Sequence, residues 1–90
     1  MLGIVGNLSA TTLRGPLAKG RYHDGDGLFL SVTSKGARSW ICRVQKNGRR
    51  RDIGIDSAKK ITLSQARQRA AEIRTLVEAG IDPVLHRKRA

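Results

Sequence analysis

The sequence predicts an α+β domain in which a three-stranded antiparallel β-sheet packs against one long C-terminal α-helix. Apolar and polar residues alternate through residues 28–33 and much of residues 40–55, the period of strands with one buried face. An Asn47-Gly48 pair divides the second stretch, as in a two-residue hairpin turn. After Thr62, apolar residues recur at the three- and four-residue spacing of a helix. A chain of 90 residues with 39% hydrophobic residues can bury one modest core, so we expect one domain.

Residues 1–20 are expected to form an N-terminal segment that is partly disordered. Within it, residues 9–14 favour one helical turn, which Gly15-Pro16 would end. The run Asp24-Gly25-Asp26-Gly27 favours a turn that leads into the first strand of the sheet.

Two hairpins connect the three predicted strands. Residues 34–37 are short enough for the first hairpin loop. In the second hairpin, both residues of a type I′ turn need positive φ, which Asn47 and Gly48 favour. The resulting register has these facing pairs: Lys46 and Arg49, Gln45 and Arg50, Val44 and Arg51, Arg43 and Asp52, Cys42 and Ile53. The inner, apolar face is predicted to consist of Leu28, Leu30, Val32, Trp40, Cys42, Val44, Ile53 and Ile55.

A helix over residues 63–79 is predicted to cover this apolar face. Thr62 and Gln65 match a capping box at its start, and Gly80 favours its end. Its apolar stripe consists of Leu63, Ala66, Ala70, Ile73 and Val77. Asp82-Pro83 then resembles a cap followed by a proline in the first helical position. The basic segment that follows is interpreted as a flexible tail or a linker.

The charge of the chain indicates a polyanionic partner. The formal net charge is +11 and the isoelectric point is about 11.4, which favours nucleic acid. Alternation along the hairpin places Arg43, Gln45 and Arg50 together on the outer face of the sheet, away from the core. One cationic, hydrogen-bonding sheet face therefore predicts a nucleic-acid interface.

The predicted contact residues divide by chemistry. Gln45 and Arg43 can read base edges, and Asp52 is expected to orient the Arg43 guanidinium. Arg51 starts on the core side and is expected to reach the sheet edge or a phosphate. Phosphate contacts are predicted for Lys46, Arg49, Lys35 and Arg38. The full predicted set of DNA-binding residues is Arg43, Gln45, Lys46, Arg49, Arg50, Arg51, Lys35 and Arg38.

The sequence does not indicate a disulfide, a metal site or a membrane segment. Cys42 is the single cysteine, which excludes an intramolecular disulfide or a cysteine zinc site and fits a reducing compartment. Asp24 and Asp26 do not begin a calcium loop, because its sixth position would be Phe29 and its twelfth Lys35. No stretch has the length of a membrane span or the flank of a signal peptide. We therefore expect a cytoplasmic protein without cofactor, metal or membrane partner.

Several short segments, taken in order, carry a resemblance to a family. They are Asp24-Gly25-Asp26-Gly27-Leu28-Phe29-Leu30-Ser31-Val32, Gly36, Ser39-Trp40-Ile41-Cys42-Arg43, Asn47-Gly48-Arg49-Arg50, Ile53-Gly54-Ile55, Leu63-Ser64-Gln65-Ala66-Arg67 and Ala79-Gly80-Ile81-Asp82-Pro83. In this order the chain, over residues 8–88, resembles the N-terminal arm-type DNA-binding domain of phage and prophage integrases of the tyrosine-recombinase family. Two positions depart from the family pattern: Val44 stands where an aromatic residue is usual, and Asp56 where glycine is frequent.

The resemblance implies a function as well as a fold. Residues 21–80 would form the domain that binds arm-type sites in double-stranded attachment DNA, with the sheet face in the major groove. Residues 81–90 would begin a linker helix toward core-binding and catalytic domains, and other integrase protomers would be partners. The nucleophilic tyrosine of the family belongs to a downstream domain, so Tyr22 is expected to be structural and the chain not to be an enzyme.

Two other function classes stay open at this point. A small basic α+β domain can also bind RNA or a ribosome. Against single-strand binding, only Phe29 places an aromatic ring on the outer face for bases to stack on. A protein-interaction domain with incidental charge is the other alternative, and it would show no salt-sensitive binding to DNA.

Overall fold

The computed structural model describes residues 7–89 of the chain, so the expectations for residues 1–6 lie outside the described part. Its elements are helix α1 (Ala10–Arg14), strands β1 (Gly20–Gly25), β2 (Leu28–Val32), β3 (Arg38–Lys46) and β4 (Arg49–Ser57), and helices α2 (Leu63–Glu78) and α3 (Pro83–Arg89). The strands form an antiparallel sheet in the order β1-β2-β3-β4. The α+β class and the long helix after the sheet are as predicted.

The sheet has four strands, and the prediction of three was wrong. Strand β1 pairs with β2 from Gly20 opposite Val32 to Gly25 opposite Leu28. Alternation did not indicate this strand because a carboxylate, Asp24, occupies one of its inward positions and is 2% exposed. The turn that follows brings Gly27 so close to the Arg43 backbone of β3 that any side chain there would clash. The Arg43 N–H donates to the Gly27 carbonyl at 2.7 Å, which joins this turn to the third strand.

The β3–β4 hairpin has the predicted turn and register. Asn47 and Gly48 have φ of 54° and 75°, as a type I′ turn requires. All five predicted facing pairs, from Lys46 opposite Arg49 to Cys42 opposite Ile53, are confirmed. A bulge beyond them shifts the register, so that Trp40 lies opposite Asp56 while Ile55 stays buried.

The core lies between the sheet and α2. All eight residues of the predicted inner face are buried, including Val44, and Ile61, Ala66, Ala70 and Ile73 complete the cluster. Ala66 and Ala70 are fully buried, and their small side chains let the helix approach the sheet closely. Cys42 lies under Ala70, and burial raises the pKa of its thiol, as expected for a core residue.

The predicted helix ends are also present. Thr62 and Gln65 form both hydrogen bonds of the capping box. Helix α2 ends at Glu78, and Gly80 follows with φ of 79°. Asp82 Oδ1 accepts hydrogen bonds from the backbone N–H groups of Val84 and Leu85, so it caps α3.

The segment before β1 is attached to the rest of the fold. Ser9 caps α1, and Leu8, Leu13 and Leu17 pack against the core. The Tyr22 hydroxyl donates to the Ala18 carbonyl at 2.6 Å, which gives that tyrosine a structural role.

Candidate nucleic-acid interface

The outer face of the sheet is the side opposite α2, and its residues follow from the strand register. Across the sheet, Arg21 lies opposite Ser31, His23 opposite Phe29, Phe29 opposite Ile41, Arg43 opposite Asp52, and Gln45 opposite Arg50. Alternation points these side chains away from the core. We call the set Arg21, His23, Phe29, Arg43, Gln45, Arg50 and Asp52 the outer-face cluster.

Asp52 holds Arg43 in place, as predicted. The Arg43 guanidinium donates to both carboxylate oxygens, from Nε at 2.8 Å and from Nη2 at 3.2 Å. These hydrogen bonds lower the pKa of Asp52, and the nearby Arg21 and Arg50 lower it further. Three arginines therefore surround one carboxylate, which leaves the cluster with an excess of positive charge.

Gln45 and Arg50 lie at the tip end of the outer face. They are directly opposite one another on β3 and β4, and both side chains are exposed. An exposed amide beside an exposed guanidinium supplies donors and acceptors suited to base edges. These two predicted contact residues are thus brought next to Arg43.

The other hairpin cations lie on the helix side of the sheet. Lys46 Nζ donates to the carbonyls of Val77 and Glu78, both at 2.9 Å, at the C-terminal end of α2. Arg51 Nη1 lies 3.2 Å from a carboxylate oxygen of Asp82. Arg49 is exposed beside the turn. The three consecutive arginines, residues 49–51, are therefore divided, with Arg50 on the outer face and both of its neighbours on the helix side.

Lys35 and Arg38 lie at the opposite end of β3 from the Asn47-Gly48 turn. Lys35 is exposed in the β2–β3 loop. The Arg38 guanidinium donates to the carbonyls of Leu13 at 2.5 Å and Gly15 at 2.7 Å, and so attaches the N-terminal segment to the sheet. Because β3 has nine residues, these two cations lie roughly 27 Å from the hairpin tip. The structure does not bring the eight predicted residues into one cluster.

Four members of the outer-face cluster were not among the predicted contacts, and two of these four, Arg21 and His23, were not assigned to any face of the sheet. Arg21 and His23 belong to β1, which was not predicted as a strand, so their shared face was not assigned. The signal was the period of two that places Arg21 and His23 on one side and Tyr22 and Asp24 on the other.

Neither a metal site nor a membrane helix is evident in residues 7–89. No group of three or more His, Cys, Asp or Glu side chains lies close enough there to hold a metal ion. Within the same range, no helix is both long and apolar enough to cross a membrane. The Asp24 carboxylate accepts hydrogen bonds from Arg67 and from the Leu8 N–H.

Comparison with known proteins shows which family the chain is in. The family model described as Arm DNA-binding domain matches residues 7–90. The chain belongs to this family. The arm-type domain is 34% identical over 68 residues to an integrase of Shigella phage Sf6, and equally to the prophage integrase IntS of Escherichia coli K12. In both comparisons the match covers 76% of this chain and 18% of the relative.

A further relative is similar over a shorter stretch. The arm-type domain is 43% identical over 58 residues to the prophage integrase IntZ of Escherichia coli K12, which covers 64% of this chain and 14% of the relative. The chain thus spans less than a fifth of the length of these curated relatives. The family resemblance inferred from the sequence motifs is confirmed, and with it the assignment as a DNA-binding domain of the integrase type.

Proposed function

We propose that this arm-type domain serves a phage or prophage integrase of the tyrosine-recombinase family by binding arm-type sites in double-stranded attachment DNA. The observation that carries the proposal is the outer-face cluster, because the sheet face opposite α2 presents Arg43 and Arg50 beside the Gln45 amide, with Arg21 farther along the same face. A major groove about 12 Å wide admits a β-structure of this kind. The outer face would therefore enter the groove and read base edges.

The proposed contacts differ in how directly they can act. Arg43, Gln45 and Arg50 are on the side that would face the groove. The exposed Arg49, at the start of β4, and the exposed Lys35, in the β2–β3 loop, can meet the backbone phosphates. Lys46, Arg51 and Arg38 have partners within the protein. These three side chains would contact phosphate only if they shared or gave up their hydrogen bonds within the protein.

The wider context of the domain is also part of the proposal. The relatives are integrases, and the match covers less than a fifth of each. Catalysis would belong to another domain of such a protein, and α3 would lead toward it. Other integrase protomers would be the protein partners on the DNA.

Duplex DNA binding by this chain is expected to depend strongly on salt. If about 3 to 5 phosphates are neutralised, log K should fall against log salt concentration with a slope of about −3 to −4.5. Fluorescence anisotropy with labelled duplex DNA and with a structured RNA of equal length measures both slopes. A flat response would contradict the proposal, and a clear preference for the RNA would favour an RNA-binding module instead.

Mutation should distinguish the residues that read base edges from those that contact phosphates. Arg43→Ala or Gln45→Ala is expected to cost about 1 to 3 kcal/mol of binding free energy on the specific site and little on random duplex. Arg49→Ala should weaken binding to both and reduce the salt slope by about one, because it removes a phosphate contact. The specific site is obtained by selection from random DNA.

Arg14→Ala is the matched control for these variants. Arg14 is exposed on α1, on the Trp40 side of the sheet, so Arg14→Ala removes the same charge as Arg43→Ala or Arg49→Ala at a distance from the outer face. It should leave the discrimination between specific and random DNA unchanged. Equal losses on both DNAs for Arg43→Ala, Gln45→Ala and Arg49→Ala would show that the sheet face does not read sequence.

A further inference from the structure

Phe29 is buried although its side chain is on the outer face of the sheet, away from the core. Its neighbours in β2, Leu28 and Leu30, point into the core, and alternation points Phe29 to the outer face. An aromatic side chain there would be expected to face solvent, yet Phe29 is only 1% exposed. Side chains of the outer face itself must therefore cover the ring.

Three side chains of the outer-face cluster lie close to the ring. The Arg21 guanidinium carbon lies 5.5 Å from the centre of the Phe29 ring, and that of Arg43 lies 5.2 Å from it. The His23 ring lies 5.1 Å away, tilted by 43°. The ring thus connects Arg21 of β1 with Arg43 of β3 across the intervening strand.

This arrangement has a clear physical basis. The negative face of an aromatic ring attracts a cation within about 6 Å, and the planar guanidinium group can also stack on the ring. Two neighbouring guanidinium groups otherwise repel each other and move freely in solvent. The ring, together with the two hydrogen bonds from Arg43 to Asp52, limits this freedom before any ligand arrives.

We propose that Phe29 is a positioning residue, whose ring holds Arg21 and Arg43 as a preformed pair that contacts DNA from β1 and β3 together. The inference rests on the proposed function of the outer face. It adds Arg21 as a DNA contact and assigns Phe29 a role in affinity without a contact of its own. Preorganised side chains lose less conformational entropy on binding, which is the source of the gain.

The first test compares two substitutions of Phe29 in the full chain. Phe29→Leu removes the ring and is expected to weaken binding to the selected duplex about tenfold, whereas Phe29→Tyr keeps the ring and should bind within about twofold of wild type. Anisotropy gives the affinities, and circular dichroism shows that each variant is folded at the assay temperature. Binding of a folded Phe29→Leu variant at wild-type strength would overturn the inference.

A double-mutant cycle separates positioning from a merely structural role. In a chain that also carries Arg21→Ala and Arg43→Ala, Phe29→Leu should weaken the remaining DNA binding by less than about twofold, because the groups it positions are gone. The same loss in both backgrounds would show that Phe29 acts only by supporting the sheet, and would overturn the inference.

A charge-conserving variant decides the matter even if Phe29→Leu fails to fold. Arg21→Lys keeps the positive charge but cannot stack as a planar group, so we expect about a fivefold loss of specific binding. Wild-type affinity of the Arg21→Lys variant would contradict this inference but not the proposed function. Failure of the wild-type chain to bind duplex DNA would instead overturn the proposed function, and this inference with it.

Discussion

Replacing Trp40 with alanine is expected to lower the free energy of unfolding by about 3 to 5 kcal/mol, the usual cost of removing a large aromatic side chain from a core. Trp40 is 1% exposed and is among the largest fully buried side chains. Its indole N–H also points at the Ile61 carbonyl, 3.4 Å away, in the connection between β4 and α2. Chemical denaturation followed by circular dichroism measures the loss, a large part of the stability of a domain this small.

Leu85→Ala is the control for this measurement. Leu85 is 52% exposed on α3, so its truncation should change the free energy of unfolding by no more than about 0.5 kcal/mol. A loss below about 1 kcal/mol for Trp40→Ala would mean that the two faces of the sheet have been assigned the wrong way round.

The parts of the fold that could be predicted depend on local signals. The β3–β4 hairpin is determined by one dipeptide, because a two-residue turn with positive φ at both residues sets every pairing that follows until the bulge. The start of α2 is likewise encoded within four residues, from Thr62 to Gln65. Such signals require no knowledge of distant partners.

Strand β1 was not predicted, because the buried carboxylate of Asp24 obscures the period of two in residues 21–24. A carboxylate in a strand normally indicates a solvent-facing position. Here Arg67, which is 43 residues away along the chain, supplies two hydrogen bonds to it. The pattern of polar and apolar residues therefore failed where a long-range ion pair replaces a hydrophobic contact.

The candidate site shows the same division. Alternation was sufficient to place Arg43, Gln45 and Arg50 on one face, and facing positions were sufficient to pair Arg43 with Asp52. Lys46 contacts the end of α2, 31 residues away along the chain, and Arg38 contacts the residues around α1, 25 residues away. Sequence spacing alone contains no information on such contacts.

Asp24 connects three parts of the fold through its carboxylate. Arg67 of α2 donates to it from Nε at 2.8 Å and from Nη2 at 2.9 Å, and the Leu8 N–H donates at 2.9 Å. Arg67 Nη2 also donates to the Leu8 carbonyl at 3.0 Å, so β1, α2 and the N-terminal segment meet here. Burial by itself would raise the pKa of Asp24, but the hydrogen bonds and the charge of Arg67 outweigh it and lower the pKa from its ordinary value of 3.8.

Asp24→Asn should therefore destabilise the domain by about 2 to 3 kcal/mol at neutral pH, since charge-assisted hydrogen bonds are lost while Arg67 regains some hydration. Asp26→Asn is the matched control, because Asp26 is exposed in the adjoining turn and asparagine tolerates its φ of 54°.

A lowered pKa means that the Asp24 carboxylate stabilises the fold above about pH 4, and that this contribution disappears as the pH falls through the pKa of the folded state. Denaturation at several pH values should show the difference between wild type and Asp24→Asn shrinking below about pH 4. A difference independent of pH, or an equal loss for Asp26→Asn, would show that the ion pair with Arg67 does not stabilise the fold.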